Sequence, residues 1–237
     1  MKKHLRMSSI SNKRTIVLSA LPNPLGELRT IFSSSEGSIR RRLEQPPVLR
    51  YAGWSLETLD RAKIIRGEMI RVTNGDRKVI DLYRDGSLVF VGLADNEFLA
   101  HASPPGSYKI NPVAIVELVY NFAAFYKLVL EDLKVMPREI MFRVDFKNMH
   151  LGGIKNYLIP YASGSAAQLF GTGAKEAPDN DGNRSVMATA EDFNPGHVAY
   201  ELLREIYLWF GLEEEKIPYT KMESDVKVVD PEAIKNV

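Results

Sequence analysis

Two acids and a lysine form the first group of residues that could do chemistry. Asp145-Phe146-Lys147 matches the second half of a PD-(D/E)xK site, with Asp81 as the first acid. In such a site two carboxylates hold a divalent metal and the lysine orients the attacking water. No proline precedes Asp81 and a whole helix lies between it and Asp145, so solvent-side charges on a half-buried strand account for the same residues better. A metal-dependent nuclease using Asp81, Asp145 and Lys147 therefore stands as an alternative reading. Gly171-Thr-Gly173-Ala-Lys175 is glycine-rich with a lysine but lacks the spacing that wraps amides around a phosphate. Asp179-Asn-Asp181-Gly-Asn183 has oxygen ligands, yet Gly182 falls fourth where a calcium loop needs its glycine sixth. The four histidines, His4, His101, His150 and His197, show no paired metal spacing, and Ser163 and Ser165 sit in no nucleophile elbow. Zero cysteines remove thiolate catalysis, disulfides and Cys-ligated metal. Neither a metal nor a cofactor is expected.

The strongest binding candidate is electrostatic. Lys13, Arg14, Arg40, Arg41, Arg42 and Arg50 belong to an N-terminal segment, residues 1–50, that holds ten basic and three acidic side chains. Residues 151–237 hold eight basic and fourteen acidic ones, although the whole chain is nearly neutral at +1. A basic helix and arm could neutralise several phosphates in a salt-dependent, sequence-independent way. The competing reading is a solvated face, or pairing with acids inside the fold or in a second copy.

These residues need a scaffold, and the hydrophobic pattern supplies one. Residues 15–21 form a short apolar strand closed by Pro22 and Pro24, and residues 36–45 form a short helix capped at Ser35 and stopped by Pro46-Pro47. Residues 63–93 contain strand-like runs separated by Asn74-Gly75 and Asp85-Gly86, which predict a three-stranded antiparallel meander with left-handed backbone at both central positions of each turn. Residues 111–134 are a long apolar helix with Asn111 as cap and Pro112 in its first turn. Glu117, Asn121 and Lys127 make a helix packed on a sheet the better reading than a membrane span. Residues 139–148 alternate, with Ile140, Phe142, Val144 and Phe146 on one side, and this strand is expected to join the meander. After a glycine-rich stretch with a strand at 157–161, a last helix starts at Asn194-Pro195 and ends at Gly211.

The chain of 237 residues, 45% hydrophobic, is long enough for one medium domain. It divides into a flexible basic arm (1–13), one domain (14–220) whose basic subsegment is 14–50, and a charged tail (221–237) read as solvated. The fold class is α+β: an antiparallel sheet of at least four strands, from 63–93 and 139–148, packed by two long helices. No secretory segment is visible, and a cytoplasmic location is expected.

The stretch from Pro46 to Arg61 (PPVLRYAGWSLETLDR), with Arg66-Gly-Glu68, Asn74-Gly-Asp-Arg-Lys78, Tyr83-Arg-Asp-Gly86 and Met149-His-Leu-Gly-Gly153, carries a resemblance. Over about residues 15–220 the chain resembles the C-terminal part of bacterial proteins with an N-terminal schlafen-type, Alba-like domain, often labelled ATP-binding or transcriptional regulators. The Alba-like domain itself, with that family's presumed nucleic-acid contacts, is not in this chain, so no functional residue carries over. The resemblance implies a companion module in gene regulation or defence. The expected function is thus a non-enzymatic binding or regulatory module, with direct nucleic-acid binding through the basic segment as the alternative. A protein partner or a second copy is the other expected contact, and no membrane is.

Overall fold

The computed structural model describes residues 12–23, 37–51, 53–103, 106–161, 173–189, 191 and 193–236. The arm at 1–11, Ser35, Ser163, Ser165 and Gly171-Thr172 lie outside the described residues. Seventeen elements are labelled here in chain order. They are β1 (Thr15–Asn23), α1 (Gly37–Glu44), β2 (Lys63–Ile65), β3 (Met69–Asn74), β4 (Lys78–Tyr83), β5 (Leu88–Leu93), β6 (Ala100–Ser103), β7 (Ser107–Ile110) and α2 (Pro112–Leu133). Then come β8 (Glu139–Lys147), β9 (Lys155–Leu158), β10 (Lys175–Glu176), β11 (Gly182–Thr189), α3 (Pro195–Trp209), β12 (Thr220–Glu223), β13 (Val226–Val229) and α4 (Pro231–Lys235).

The architecture is α+β. Seven strands form one antiparallel sheet in the order β11-β8-β1-β5-β4-β3-β2. Its core face carries Ile16, Leu18, Ile80, Leu82, Phe90, Phe142, Val144 and Phe146, all buried against side chains of α1, α2 and α3. Alternation fixes this face, because a half-buried strand sends every second side chain to the core. The expected strand of residues 139–148 does join the meander, but only through β1, which inserts between β8 and β5. Pro22 is tolerated inside β1 because pairing with β5 ends at Ala20, so no ladder bond is missed on that side.

The meander differs from expectation in two ways. It has four strands, since β2 and β3 are separate, and the turn with two left-handed residues is Arg66-Gly67, at φ 51° and 64°. Glu68 N closes that turn on Ile65 O at 3.0 Å. At the Asn-Gly and Asp-Gly sites only Gly75 and Gly86 take positive φ, in three-residue loops. Gly86, last in its loop, is the left-handed position a three-residue hairpin asks for, whereas Gly75 comes first in its loop.

Helix α2 begins where Asn111 Oδ1 accepts from Val113 N at 2.9 Å. It ends at left-handed Lys134, with Lys134 N on Glu131 O at 3.1 Å and Val135 N on Leu130 O at 3.2 Å. This paired closure satisfies the last carbonyls. By length and composition α2 could cross a membrane, yet 78% of its most apolar window is buried inside the fold. That burial makes it the central core helix, with α3 beside it. A second sheet, β10-β9-β7-β6, contains a parallel β7–β9 pair.

The stretch after Tyr219 corrects the expectation of a solvated tail. β12 and β13 pair as a hairpin, α4 follows, and Val228, Val229 and Ile234 are buried. The physical reason is that Val228, Val229 and Ile234 place apolar side chains among the charges, and all three are buried. β13 packs on α3.

Candidate ligand cleft

The structure keeps the acids of the nuclease pattern apart. Asp81 on β4 and Asp145 on β8 share one sheet face but are separated by β5 and β1, about 14 Å at the usual strand spacing. Each is held by a neighbouring arginine. Arg71 donates to Asp81 through Nε and Nη2, both at 2.7 Å, and Arg143 Nε donates to Asp145 at 2.7 Å. Lys147 Nζ lies 3.2 Å from Asp181. Two metal ligands must approach one ion within about 2–2.6 Å each, which this spacing forbids. Among the described residues no group of three His, Asp or Glu side chains could hold a metal.

The loop at Asp179–Asn183 is a structural clip. Asp181 Oδ1 accepts from Asn148 N at 2.9 Å, and Asn180 Oδ1 accepts from His150 N at 3.0 Å.

The six basic candidates do not form one patch. Arg14 is buried, donating to the carbonyls of Leu151 and, at 3.1 Å, Ile154, with its guanidinium 4.8 Å from the Tyr108 ring centre. Lys13 pairs with Asp76 at 3.5 Å. Arg42 pairs with Asp132 at 2.7 Å, tying α1 to α2, and this hydrogen bond raises its pKa. Arg50 pairs with Glu117 at 2.9 Å. Among the described residues Arg40 and Arg41 form no ion pair, and Arg41 is exposed.

Arg50 leads to a different site. A cleft of about 230 Å³ is lined by Arg50, Trp54, His101, Asn111, Pro112, Val113 and Ile159. Four parts of the fold meet there: the segment following α1, strand β6, the start of α2, and the residue after β9. Trp54 is fixed at both ends, because its Nε1 donates to Phe98 O at 2.8 Å and its carbonyl accepts from Asn121 Nδ2 at 3.4 Å. The next turn of chain is held by Lys78, whose Nζ donates to Ser55 O at 2.8 Å and lies 4.5 Å from the Phe98 ring centre. Arg50 stands over the Trp54 ring, 5.4 Å from its centre. Such a cation on an indole face adds rigidity as well as charge.

Glu117 anchors the cleft's arginine. It is fully buried, its Oε2 accepts from Arg50 Nε, and its Oε1 has no hydrogen-bond partner among the described residues. It sits one helical turn beyond Val113, behind the cleft, and reaches it only through Arg50. His101 is kept toward its neutral form, first by burial and then by Lys109. Asn111 spends its oxygen on the helix cap, which leaves its amide nitrogen as a donor on the wall. Nearby, the Tyr161 and Tyr219 rings are 5.5 Å apart, and burial, then the hydrogen bond Tyr219 makes to Tyr161, push the Tyr219 pKa up to about 12. Tyr51, next to Arg50, is completely exposed.

Of these residues the sequence pointed to Arg50 alone, and as a phosphate contact. Trp54, His101, Asn111 and Glu117 were missed as a group. Arg50-Tyr51 with Gly53-Trp54, a cation among aromatics, was the available signal. Comparison of the chain with family models, curated proteins and solved structures finds no match in any of the three.

Proposed function

We propose that this chain is a non-enzymatic binding module whose ligand site is the cleft between Arg50-Trp54 and the start of α2. The observation that carries this reading is the cleft of about 230 Å³ lined by Arg50, Trp54, His101 and Asn111, its Arg50 anchored from behind by the fully buried Glu117. A concave site with an apolar wall and a few convergent polar groups is where small ligands bind. A role beside a nucleic-acid-binding domain, in regulation or defence, agrees with the resemblance noted above and adds no residue to the site.

The test is a panel of compounds from several chemical classes, followed by thermal shift and tryptophan fluorescence. The chain has two tryptophans, and Trp209 is buried elsewhere in the core, so a cleft ligand should quench Trp54 alone. Saturable quenching and a raised Tm are expected, both lost in Trp54→Phe; a ligand at a hundredfold excess over its Kd adds about 2.7 kcal/mol. No response from any class would remove the reading.

A second reading, sequence-independent nucleic-acid binding, is favoured by Arg40 and Arg41, which lack ion pairs among the described residues. Arg40→Ala with Arg41→Ala should then flatten the salt dependence of binding by about one unit per lost phosphate contact. An unchanged slope would set it aside.

A further inference from the structure

The two edges of the seven-stranded sheet are built differently. At one, β2 is three residues long, carries exposed Lys63 and ends at once in the Arg66-Gly67 turn. Short strands and lysines are how proteins keep a sheet edge from pairing. At the other, β11 runs for eight residues in unbroken register with β8, without a proline, a lysine or a bulge. We infer that β11 is an interface: it pairs antiparallel with the β11 of a second copy of this chain and joins the two sheets into one.

The edge is open to solvent. Val186 and Ala188 point to the core side yet stay only half buried, whereas Phe142 and Ile140, their partners on β8, are completely buried. Among the described residues β11 pairs with β8 alone. On the opposite face Asn183, Ser185 and Met187 are exposed, Met187 by 59%. Arg184, the strand's one charge, donates through Nη1 to the neighbouring Asn183 O at 2.6 Å, an exposed contact that a partner's N–H can replace.

The strand is complementary to itself. With a two-fold axis at Val186, that residue faces the partner's Val186, Ser185 faces the partner's Met187, and Arg184 faces the partner's Ala188. The one charge therefore meets no like charge, and a β-branched pair sits at the centre. This axis stands perpendicular to the sheet, so α3 meets its own copy. Helix α3 sends Trp209 to Gly182 and Tyr200 to Lys227 of β13, while α2, which lies over β1, takes a third side. The remaining stripe, Glu201, Arg204, Glu205 and Leu208, looks out beyond β11, with Leu208 56% exposed. Two such helices, one on each side of the joint, come within about 10 Å, an ordinary packing distance. Their stripes carry both signs, so they do not repel as blocks of one charge. A strand about 27 Å long with a helix about 10 Å thick above it gives roughly 1,000 Å² for the pair of copies, the threshold of a specific interface. The dimer should accordingly be reversible, with a Kd in the micromolar range.

The experiment is sedimentation velocity on the full chain from about 1 to 200 µM, a span that brackets micromolar association. The mass should climb from 26.7 kDa toward twice that value. Ser185→Lys with Met187→Lys sets lysine against lysine across the joint and should weaken association at least about tenfold, with the thermal melt by circular dichroism showing that the variant is folded. Ser185→Glu with Met187→Glu should do the same, and an equal mixture of the two variants should dimerise again, because each lysine then faces a glutamate. Hydrogen exchange on wild type needs no substitution: the amides of residues 183–188 should slow as concentration rises. A wild type that stays monomeric, or exchange that ignores concentration, overturns the inference. A lysine variant that dimerises as well as wild type overturns it too, since the copies then meet elsewhere. A mixture that stays monomeric rules out self-pairing and leaves the edge to a strand of another protein. None of these outcomes depends on what fills the cleft.

Discussion

Gly53 stands directly against the carboxylate of Glu117: a Cβ added there would lie 1.9 Å from Oε1 and 2.7 Å from Arg50 Cγ. Neither neighbour is free to retreat, since Glu117 is fully buried and tied to Arg50. Gly53→Ala should therefore lift the Arg50–Trp54 segment off α2. The expected loss is about 1–3 kcal/mol in urea denaturation, with a red-shifted Trp54 emission. An unchanged midpoint and spectrum would show that the segment does not rest on Glu117.

Lys78 carries a pH dependence. Burial lowers its pKa from 10.5 to about 8, partly opposed by Glu57. Between those two values the unfolded chain binds one proton more than the folded one at this site, so stability rises with pH there. Tyrosines with raised pKa, Tyr83 among them at about 12, act in the opposite sense above pH 10. The clean comparison is wild type against Lys78→Met, which share those tyrosines. The wild-type stability relative to the variant should climb from about pH 8 to pH 10; a flat difference would mean Lys78 titrates as it does in water.

Asp81 is a structural charge, and its removal should be felt as instability. Its side chain is 2% exposed, and both oxygens accept from the Arg71 fork. Removing one partner leaves the other buried and uncompensated, a change typically costing about 3–5 kcal/mol. Asp81→Leu alone should cost that much, whereas Asp81→Leu with Arg71→Met should recover most of it. Denaturation of the two variants decides, and equal losses would mean the pair is not coupled.

Local physics was legible in the sequence, and distant pairing was not. The alternation of Ile140, Phe142, Val144 and Phe146, the cap at Asn111 and the stop at Gly211 all depend on neighbours within a turn or a strand, and the structure has each of them. The insertion of β1 between β8 and β5 depends on partners far along the chain, and nothing local in residues 15–23 announces it. Arginine partners were hidden for the same reason: Arg42 and Asp132, or Arg50 and Glu117, meet only once α2 is laid down. Glu117 in an apolar helix was itself a signal, because a carboxylate at a core position calls for a cation. Following that demand would have led to Arg50 and the cleft.

The last eighteen residues supply a final prediction, since composition marks them as a tail and the structure as part of the core. Val228, Val229 and Ile234 are buried, Asp230 N donates to Tyr219 O at 2.7 Å, and Lys227 lies 5.7 Å from the Tyr200 ring centre while pairing with Glu214 at 3.5 Å. A Cβ on Gly196 would lie 2.9 Å from Val229 O, so the start of α3 and the end of β13 are in close contact. Burying three aliphatic side chains contributes about 1.5–3 kcal/mol each, which together rivals the whole stability of a typical domain. Removal of residues 220–237 should leave a chain that loses its cooperative thermal transition. Ile234→Ala is the gentler probe, with an expected loss of about 2–5 kcal/mol and a lowered Tm. If the truncated chain melts where the wild type does, the hairpin and α4 are an appendage after all, and Tyr219 beside the cleft is held by Tyr161 alone.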